Sequence, residues 1–337
     1  MKFGEVPPGD AVGCVLAHTV RLTDVVVKKG TVISEDIIAL MTANDVEAVM
    51  VARLEHGDVS EDDAAKRVAK AICGDGVADD VAFTGRVNIF AKQAGVFVAT
   101  NQRIQDLNRV NEAMTVATLR PLSRVEQGQM VATVKIIPFS VPTEILSKLE
   151  SAAAATAAAI SVAPFQKLSV ALVLTRLAVD KDKVVEKRRR AVADRVARLG
   201  GQLESVSQCA HNPDAVKAAI LTARDQGHDL ILLFGACAIV DRADVIPSAL
   251  EAAGGAVIHL GMPVDPGNLL LYGRLFETPM IGVPSCASSI KENGFDWVLE
   301  RVFADLPLDR EDFISMAPGG LLKEIPSRPH PRETVRP

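Results

Sequence analysis

The second half of the chain alternates short apolar runs with stretches of helical spacing. Leu168–Leu174, Leu203–Ser207 and Asp229–Phe234 are short runs rich in Leu, Ile and Val, which is typical of strands covered on both faces. Val184–Leu199 is amphipathic, and Asn212 is placed to cap the next helix. Residues 167–310 are therefore predicted to form a three-layer α/β/α domain with a mainly parallel sheet.

Two of the predicted strands end in loops of small residues. Gly235–Ala236 follows the run DLILLF, after which either Asp241 or Asp244 begins a helix, and Pro284–Ser289 follows the run PMIGV. In an open parallel sheet, ligands bind at the carboxyl ends of strands, and N–H groups of small residues can approach an anion. The loops alone are equally consistent with ordinary strand–helix turns and with an anionic, nucleotide-like ligand.

The first half has a less regular pattern. Residues 1–140 predict a mixed α/β region of short elements, either one body or two lobes, with Ser34 and Ser60 capping helices that begin with acids. Residues 142–163 are rich in Ala, the best helix former, and predict a helix within a connecting segment, 141–166. Residues 311–337 form a Pro-rich, polar tail.

Composition excludes several classes of protein. The 337 residues suggest two or three domains, and the 48% hydrophobic content is enough for sizeable cores. The net charge of −5 and the 4% aromatic content argue against a nucleic-acid-binding surface. The basic run Lys181–Arg195 is flanked by acids and indicates the solvated face of a helix, with attraction of a phosphorylated ligand as the alternative.

The cysteines and the apolar runs bear on location and chemistry. The five cysteines form no CxxC pair, the N-terminus has no signal-peptide core, and no run is long enough to span a membrane. We therefore expect a soluble cytoplasmic protein. Cys237 and Cys286 each lie in one of the small-residue loops, either as apolar packing residues or as a nucleophile with His211 or His259 as base.

The order of these elements resembles the molybdopterin-binding domain shared by the MoeA, MogA and MoaB proteins. FGACAIVDRAD stands where that family has a central loop like SGGxSxGxxD, and PSCASS stands where it has PGNP. Thr175–Leu177 stands where the family has a TGDE-like turn. The first half (GCVLAHTV, then KKGTVI) is similar to the companion region of a MoeA-like subgroup, some members of which are fused to a molybdopterin cytidylyltransferase-like domain.

The resemblance implies a set of binding residues in the loops that follow three strands. These are Thr175, Arg176, Gly235, Ala236, Cys237, Ala238, Pro284, Ser285, Ser288, Ser289 and Lys291. Arg176 or Lys291 would neutralise the charge of the pterin phosphate.

Acids near the family's loops hold metal or assist oxoanion transfer. The resemblance therefore implies catalytic roles for Asp241, Asp244 and Asp265, with Asp241 and Asp265 as ligands of Mg²⁺. Asp244 is equally well read as a helix cap. The central loop lacks a glycine and the serine of the motif, and no acid follows Thr175 directly. The resemblance therefore implies pterin binding more strongly than catalysis.

Two functions follow from the resemblance. One is a molybdopterin-binding protein of molybdenum cofactor biosynthesis that transfers molybdate to the pterin, as a molybdotransferase does. The other is a non-catalytic carrier or regulatory module that acts with a nucleotidyltransferase partner. The sequence leaves open whether the chain is an enzyme. Because the family's members form dimers or trimers, a homo-oligomer is expected, with a dimer favoured, and neither nucleic acid nor membrane is an expected partner.

Overall fold

The chain folds into two compact units, Met1–Pro164 and a second unit that begins at Phe165. The computed structural model describes residues 1–154 and 157–322. The predicted tail, 311–337, lies outside the described residues from position 323 onward.

Within its described residues, the first unit is built from short strands, four α-helices and one 3₁₀ turn. Its strands are β1 (Lys2–Val6), β2 (Val15–Leu16), β3 (Val20–Arg21), β4 (Val26–Val27), β5 (Val49–Arg53), β6 (Asp58–Ser60), β7 (Val77–Asp79), β8 (Arg86–Ala91), β9 (Gly95–Val98), β10 (Met114–Thr118), β11 (Arg124–Val125), β12 (Met130–Ile136), β13 (Ser140–Pro142) and β14 (Ser161–Pro164). Its helices are a 3₁₀ turn at Pro8–Asp10, α1 (Glu35–Ala43), α2 (Glu61–Ile72), α3 (Asn101–Arg109) and α4 (Thr143–Ala154).

The strands of the first unit pair in small antiparallel sheets over two hydrophobic clusters. The sheets have the orders β1-β5-β2, β3-β4, β13-β6, β10-β12-β8-β7 and β11-β9-β14. One cluster is drawn from residues 11–51 and the other from residues 64–162. Ser34 and Ser60 cap α1 and α2 as predicted, because each hydroxyl accepts a backbone N–H of the first turn.

The Ala-rich segment is an element of the first unit rather than a connection between units. Among the residues of this segment that the structure describes, the helix covers Thr143–Ala154, and the buried side chains of Leu146 and Leu149 join the larger cluster of that unit. Pro142 does not occupy the first helical turn, because it pairs with Asp58 in the β13–β6 ladder. The observed helix is therefore shorter than the predicted one, 142–163, and strand β14 follows it.

The second unit alternates strands and helices as the apolar pattern predicts. Its strands are β15 (Ser169–Arg176), β16 (Gln202–Ala210), β17 (Leu230–Phe234), β18 (Ala256–Leu260), β19 (Leu271–Leu275) and β20 (Thr278–Val283). Its helices are α5 (Asp182–Arg198), α6 (Pro213–Asp225), α7 (Val245–Ala252), a 3₁₀ turn at Ser285–Ser288, α8 (Gly294–Phe303) and α9 (Arg310–Ser315). Helix α9 occupies the start of the predicted Pro-rich tail.

The six strands form one mainly parallel sheet in the order β16-β15-β17-β20-β19-β18. Strands β16, β15, β17 and β20 are parallel, and β19 runs antiparallel to both of its neighbours. From β15 the chain passes through α5 to β16 on one side, and then through α6 to β17 on the other. The strand order therefore reverses between β15 and β17.

Helices cover both faces of this sheet and confirm the predicted three-layer α/β/α arrangement. Helices α5, α8 and α9 share one hydrophobic cluster with the strands, and α6 and α7 share the other. Every residue of β17 is buried, which explains why its sequence is apolar at successive positions. The sheet is closed on both faces, so its loops at the carboxyl edge are the parts free to meet a ligand.

Candidate functional site

The loops that follow β15, β17 and β20 leave the same edge of the sheet, because these strands are parallel. The loops after β15 and β17 lie on either side of the point where the strand order reverses. In open α/β sheets such a point opens a crevice in which ligands bind. The predicted small-residue loop at Gly235–Ala238 is thus placed beside this crevice.

Thr175 connects the ends of three strands. Its hydroxyl oxygen accepts the N–H of Ala236 at 2.7 Å and lies 2.8 Å from Nδ1 of His211. Thr175 ends β15 and is only 1% exposed, His211 follows β16, and Ala236 follows β17. Thr175 therefore holds the loop after β17 in place, and the predicted use of the Ala236 N–H for a ligand is already taken by this hydroxyl.

Helix α5 presents two arginines to the loops that follow β17 and β20. Arg188 and Arg195 are seven residues apart, so they project from the same face of the helix. Arg188 Nη2 donates to the carbonyl of Ala236 at 3.2 Å, and its guanidinium lies 5.4 Å from the centre of the Phe234 ring. The sequence suggests that the whole basic run is a solvated helix face. The structure differs at Arg188 and Arg195, because these two side chains point inward.

Arg195 supports the loop after β20. Its side chain is 2% exposed and donates to the carbonyls of Ala287 (2.9 Å), Ser289 (2.7 Å) and Lys291 (3.1 Å). Its Nε also pairs with Asp296 Oδ1 at 2.6 Å. Burial raises the pKa of the Asp296 carboxyl, and the nearby Arg195 charge acts in the opposite direction. The Pro284–Lys291 loop is thus shaped by a buried ion pair.

The loop after β20 also contains an exposed thiol with a defined neighbour. The amide nitrogen of Asn293, which is 1% exposed, lies 3.2 Å from Cys286 Sγ, and its Oδ1 accepts the N–H of Phe295. Asn293 is the N-cap of α8. Ser285 is exposed and Ser288 and Ser289 are partly buried, so the predicted serines lie at or near the surface of this loop.

Arg176, a predicted charge-neutralising residue, is compensated within the protein. Its guanidinium pairs with Asp182 at 2.8 Å and also contacts Gln208 and the carbonyl of Asp180. Lys291, the alternative, is exposed, and its backbone rather than its charge contacts Arg195. A small cavity of about 170 Å³ beside Asp182 and Gln208 is lined by the same end of α5.

The acids of the central loop stabilise its backbone. Asp244 caps α7: one carboxylate oxygen accepts the N–H of Val245 at 2.7 Å and the other accepts that of Val240 at 3.1 Å. Asp241 Oδ1 accepts the N–H of Ala243 at 2.7 Å. For Asp244 the structure supports the helix-cap interpretation. The catalytic role of Asp241 stays a prediction.

Asp265 lies in a different loop, after β18. Its backbone pairs with Gly320 and Leu322, and a cis peptide bond joins it to Pro266. Within residues 1–154 and 157–322, no group of three or more His, Cys, Asp or Glu side chains is placed to hold a metal ion. Asp241 and Asp265 as ligands of Mg²⁺ stay predictions.

The histidines proposed as bases for a cysteine nucleophile have other neighbours. His211 contacts Thr175, and the ring of His259 stacks on Phe313 with centres 4.6 Å apart. Burial lowers the pKa of His259, and so do the charges of two arginines. Cys237 and Cys286 are both exposed. His211 and His259 are therefore already engaged by other side chains. Apolar packing does not describe the two cysteines well either, because both thiols face solvent.

Sequence reasoning missed Arg188 and Arg195. Both follow apolar positions of α5 by three residues, Val185 and Val192, so they belong to the inward stripe of the helix. A charged residue that repeats within an apolar stripe is a signal for a buried, partnered side chain. The sequence contains that signal, but it does not show which carbonyl groups accept hydrogen bonds from the two arginines.

Comparisons with known proteins find similar solved structures, all at low sequence identity. No protein-family model matches the chain, and no curated protein matches it. Among solved structures it is similar to a molybdenum cofactor biosynthesis protein from Pyrococcus furiosus, with 14% identity and a TM-score of 0.27, covering 90% of this chain and 64% of that one. The chain thus spans less than two thirds of the length of that protein.

Two further solved structures each cover a smaller share of this chain. A putative molybdenum cofactor biosynthesis protein from Corynebacterium diphtheriae is 19% identical with a TM-score of 0.30, covering 42% of this chain and all of that one. A molybdenum cofactor biosynthesis protein B is 13% identical with a TM-score of 0.31, covering 42% and 96%. TM-scores this low carry no argument about function. Within the described residues, no helix is long and apolar enough to cross a membrane.

Proposed function

We propose that this chain binds molybdopterin and acts in molybdenum cofactor biosynthesis. The observation that carries the proposal is the set of loops at the β15–β17 reversal, tied together by Thr175 and contacted by Arg188, with Arg195 holding the neighbouring loop after β20. A crevice at such a reversal suits a flat heterocycle with an anionic end, because backbone N–H groups and arginines meet the charge there. The sequence motifs quoted for these loops support the choice of pterin.

The finer role is either molybdate transfer or carriage of the pterin. In a transferase, the bound pterin would receive molybdenum, with molybdate as the substrate. In a carrier, the chain would bind the pterin and release it unchanged to a partner such as a nucleotidyltransferase. The engagement of both Asp244 oxygens in backbone contacts favours the carrier role, since it leaves that carboxylate less available for chemistry.

Titration of the purified chain with molybdopterin under anaerobic conditions tests the proposal. A side chain at Gly235 would place its Cβ 2.6 Å from the carbonyl oxygen of Cys237, so Gly235→Asp must displace the central loop. Gly9→Asp is the matched control, because it adds the same charge at a position with no atom within 4 Å of the new Cβ. We expect submicromolar binding by the wild type and the control, and loss of binding by Gly235→Asp.

The outcome separates the alternatives. Absence of binding by the wild type would refute the proposal. If the wild type binds, molybdate is added and incorporation of molybdenum into the pterin is measured. Incorporation supports the transferase, and unchanged pterin supports the carrier.

A further inference from the structure

Arg188 differs from its neighbours on α5 in how its charge is compensated. Arg189 and Arg190 share the carboxylate of Glu186, each at 2.7 Å, and Arg195 pairs with Asp296. Arg188 has no carboxylate partner in the part of the chain that the structure describes, and its Nη1 is buried without a hydrogen-bond partner there. A half-buried guanidinium in this state is a strong candidate for binding an anion.

The contacts that Arg188 does make are weak ones. The 3.2 Å hydrogen bond to the carbonyl of Ala236 is at the long end of the usual range, and the Phe234 ring gives only partial compensation through its face. Hydrogen bonds to an ionised acceptor are shorter and roughly twice as strong as neutral ones. An anion would therefore displace the Ala236 carbonyl from this guanidinium.

The loop above Arg188 provides further donors. The N–H of Ala236 is held by Thr175, but the N–H groups of Cys237 and Ala238 have no acceptor within residues 1–154 and 157–322. The loop Gly235–Ala238 is made of small residues, so it can shift to admit a ligand to the covered Nη1. Consecutive N–H groups next to an arginine are a recurring way to bind phosphate.

We propose that Arg188 recognises the phosphate monoester of the pterin ligand, in place of Arg176 or Lys291. On binding, the phosphate takes over the guanidinium from the Ala236 carbonyl and accepts from the N–H groups of Cys237 and Ala238. The identity of the ligand rests on the proposed function. Arg176 differs from Arg188 because its charge is already paired with Asp182.

The test compares two probes that differ only in the phosphate. These are the fluorescent, oxidised pterin phosphate obtained from molybdopterin and the same compound after treatment with a phosphatase. Each is titrated into the wild type, Arg188→Gln, Arg188→Lys and Arg189→Gln. The last variant is the matched control, because it makes the same substitution at the next residue, where the charge is already paired.

We expect the wild type to bind the phosphorylated probe about 10- to 100-fold more tightly than the dephosphorylated one, the range for charged hydrogen bonds. Arg188→Gln should lose this preference while it binds the dephosphorylated probe as the wild type does. Arg188→Lys should retain part of it, because a lysine keeps the charge without the planar fork. Arg189→Gln should resemble the wild type.

Four results would overturn the inference. In the first, Arg188→Gln keeps the preference for phosphate. In the second, Arg188→Gln loses affinity for both probes equally, as a residue that only braces the loop would. In the third, the wild type binds both probes equally, which refutes the role of Arg188 but leaves pterin binding standing. Binding of neither probe by the wild type would refute the proposed function and this inference together.

Discussion

Replacing Arg195 by methionine is expected to destabilise the second unit strongly. The side chain is 2% exposed and makes five hydrogen bonds, four to carbonyls and one to Asp296. Methionine fills most of the same apolar space, so the main loss is electrostatic. The variant leaves the Asp296 carboxylate, itself 14% exposed, without its partner. Removing one member of a buried pair costs about 3–5 kcal/mol of the free energy of unfolding.

The destabilisation should also depend on pH in a defined direction. Burial raises the pKa of Asp296 above its ordinary 3.8 even in the presence of Arg195, and loss of the arginine raises it further. Below that ordinary value the carboxyl is protonated in the folded and unfolded chain alike, and no penalty arises. As pH rises, the unfolded chain ionises first, so the folded variant loses stability. The difference from wild type should grow between about pH 4 and pH 7.

Urea unfolding followed by tryptophan fluorescence measures this effect. Trp297 is the single tryptophan of the chain and lies next to Asp296 in α8, so its signal reports on the second unit. Arg190→Met is the control on the same helix. Its side chain is 70% exposed and pairs with Glu186 at the surface, so it should cost about 1 kcal/mol or less.

A second variant makes the reasoning refutable. In Arg195→Met/Asp296→Leu both charges are gone, and most of the lost stability should return, since apolar replacements of buried pairs are often neutral. An Arg195→Met variant as stable as wild type at pH 7 would refute the buried-pair interpretation. So would a loss of stability that is the same at every pH.

Three further predictions concern the same unit. Thr175→Val should lower the free energy of unfolding by about 1–3 kcal/mol, because it leaves the N–H of Ala236 without its acceptor. The control Thr222→Val, on an exposed helix face, should change the free energy of unfolding little, and equal effects of the two variants would contradict the role of the Thr175 hydroxyl. Gly235→Ala should cost about 1–3 kcal/mol in urea unfolding, because its Cβ would lie 2.6 Å from a carbonyl oxygen, and an unchanged midpoint would show that the loop has room. His259→Phe keeps a stacking ring and should flatten the pH dependence of Tm. Because the pKa of His259 is lowered, the wild type loses stability as pH falls below 6.5, and a variant with the same loss would argue against this histidine as its source.

The elements of the second unit could be predicted well because their signals are local. Runs such as Asp229–Phe234 are apolar at every core position, and Asn212 followed by Pro213 marks the start of a helix in any context. Boundaries were less accurate. The helix predicted over residues 142–163 begins instead at Thr143, and strand β14 already occupies Ser161–Pro164.

The candidate site could be predicted only in part. Its loops were found because they contain small residues after strands, but Arg188 and Arg195 were assigned to a solvated face. Arginine is usually exposed. Arg195 is buried because carbonyls from a distant loop accept its hydrogen bonds, whereas Arg188 is half-buried with one weak carbonyl contact. Asp244 had two equal interpretations, and the structure supports the cap because both oxygens accept backbone N–H groups.

The sequence by itself determined the order and type of the elements in the second unit and hence its α/β class, because hydrophobic periodicity and capping act over a few residues. The tertiary structure alone decided which side chains meet at the carboxyl edge of the sheet. Thr175, His211 and Ala236 come together because β15 lies between β16 and β17, an order that no local pattern contains. Arg195 acquired its carbonyl and carboxylate partners in the same way, since a buried charge is stable only where the whole fold supplies acceptors for it.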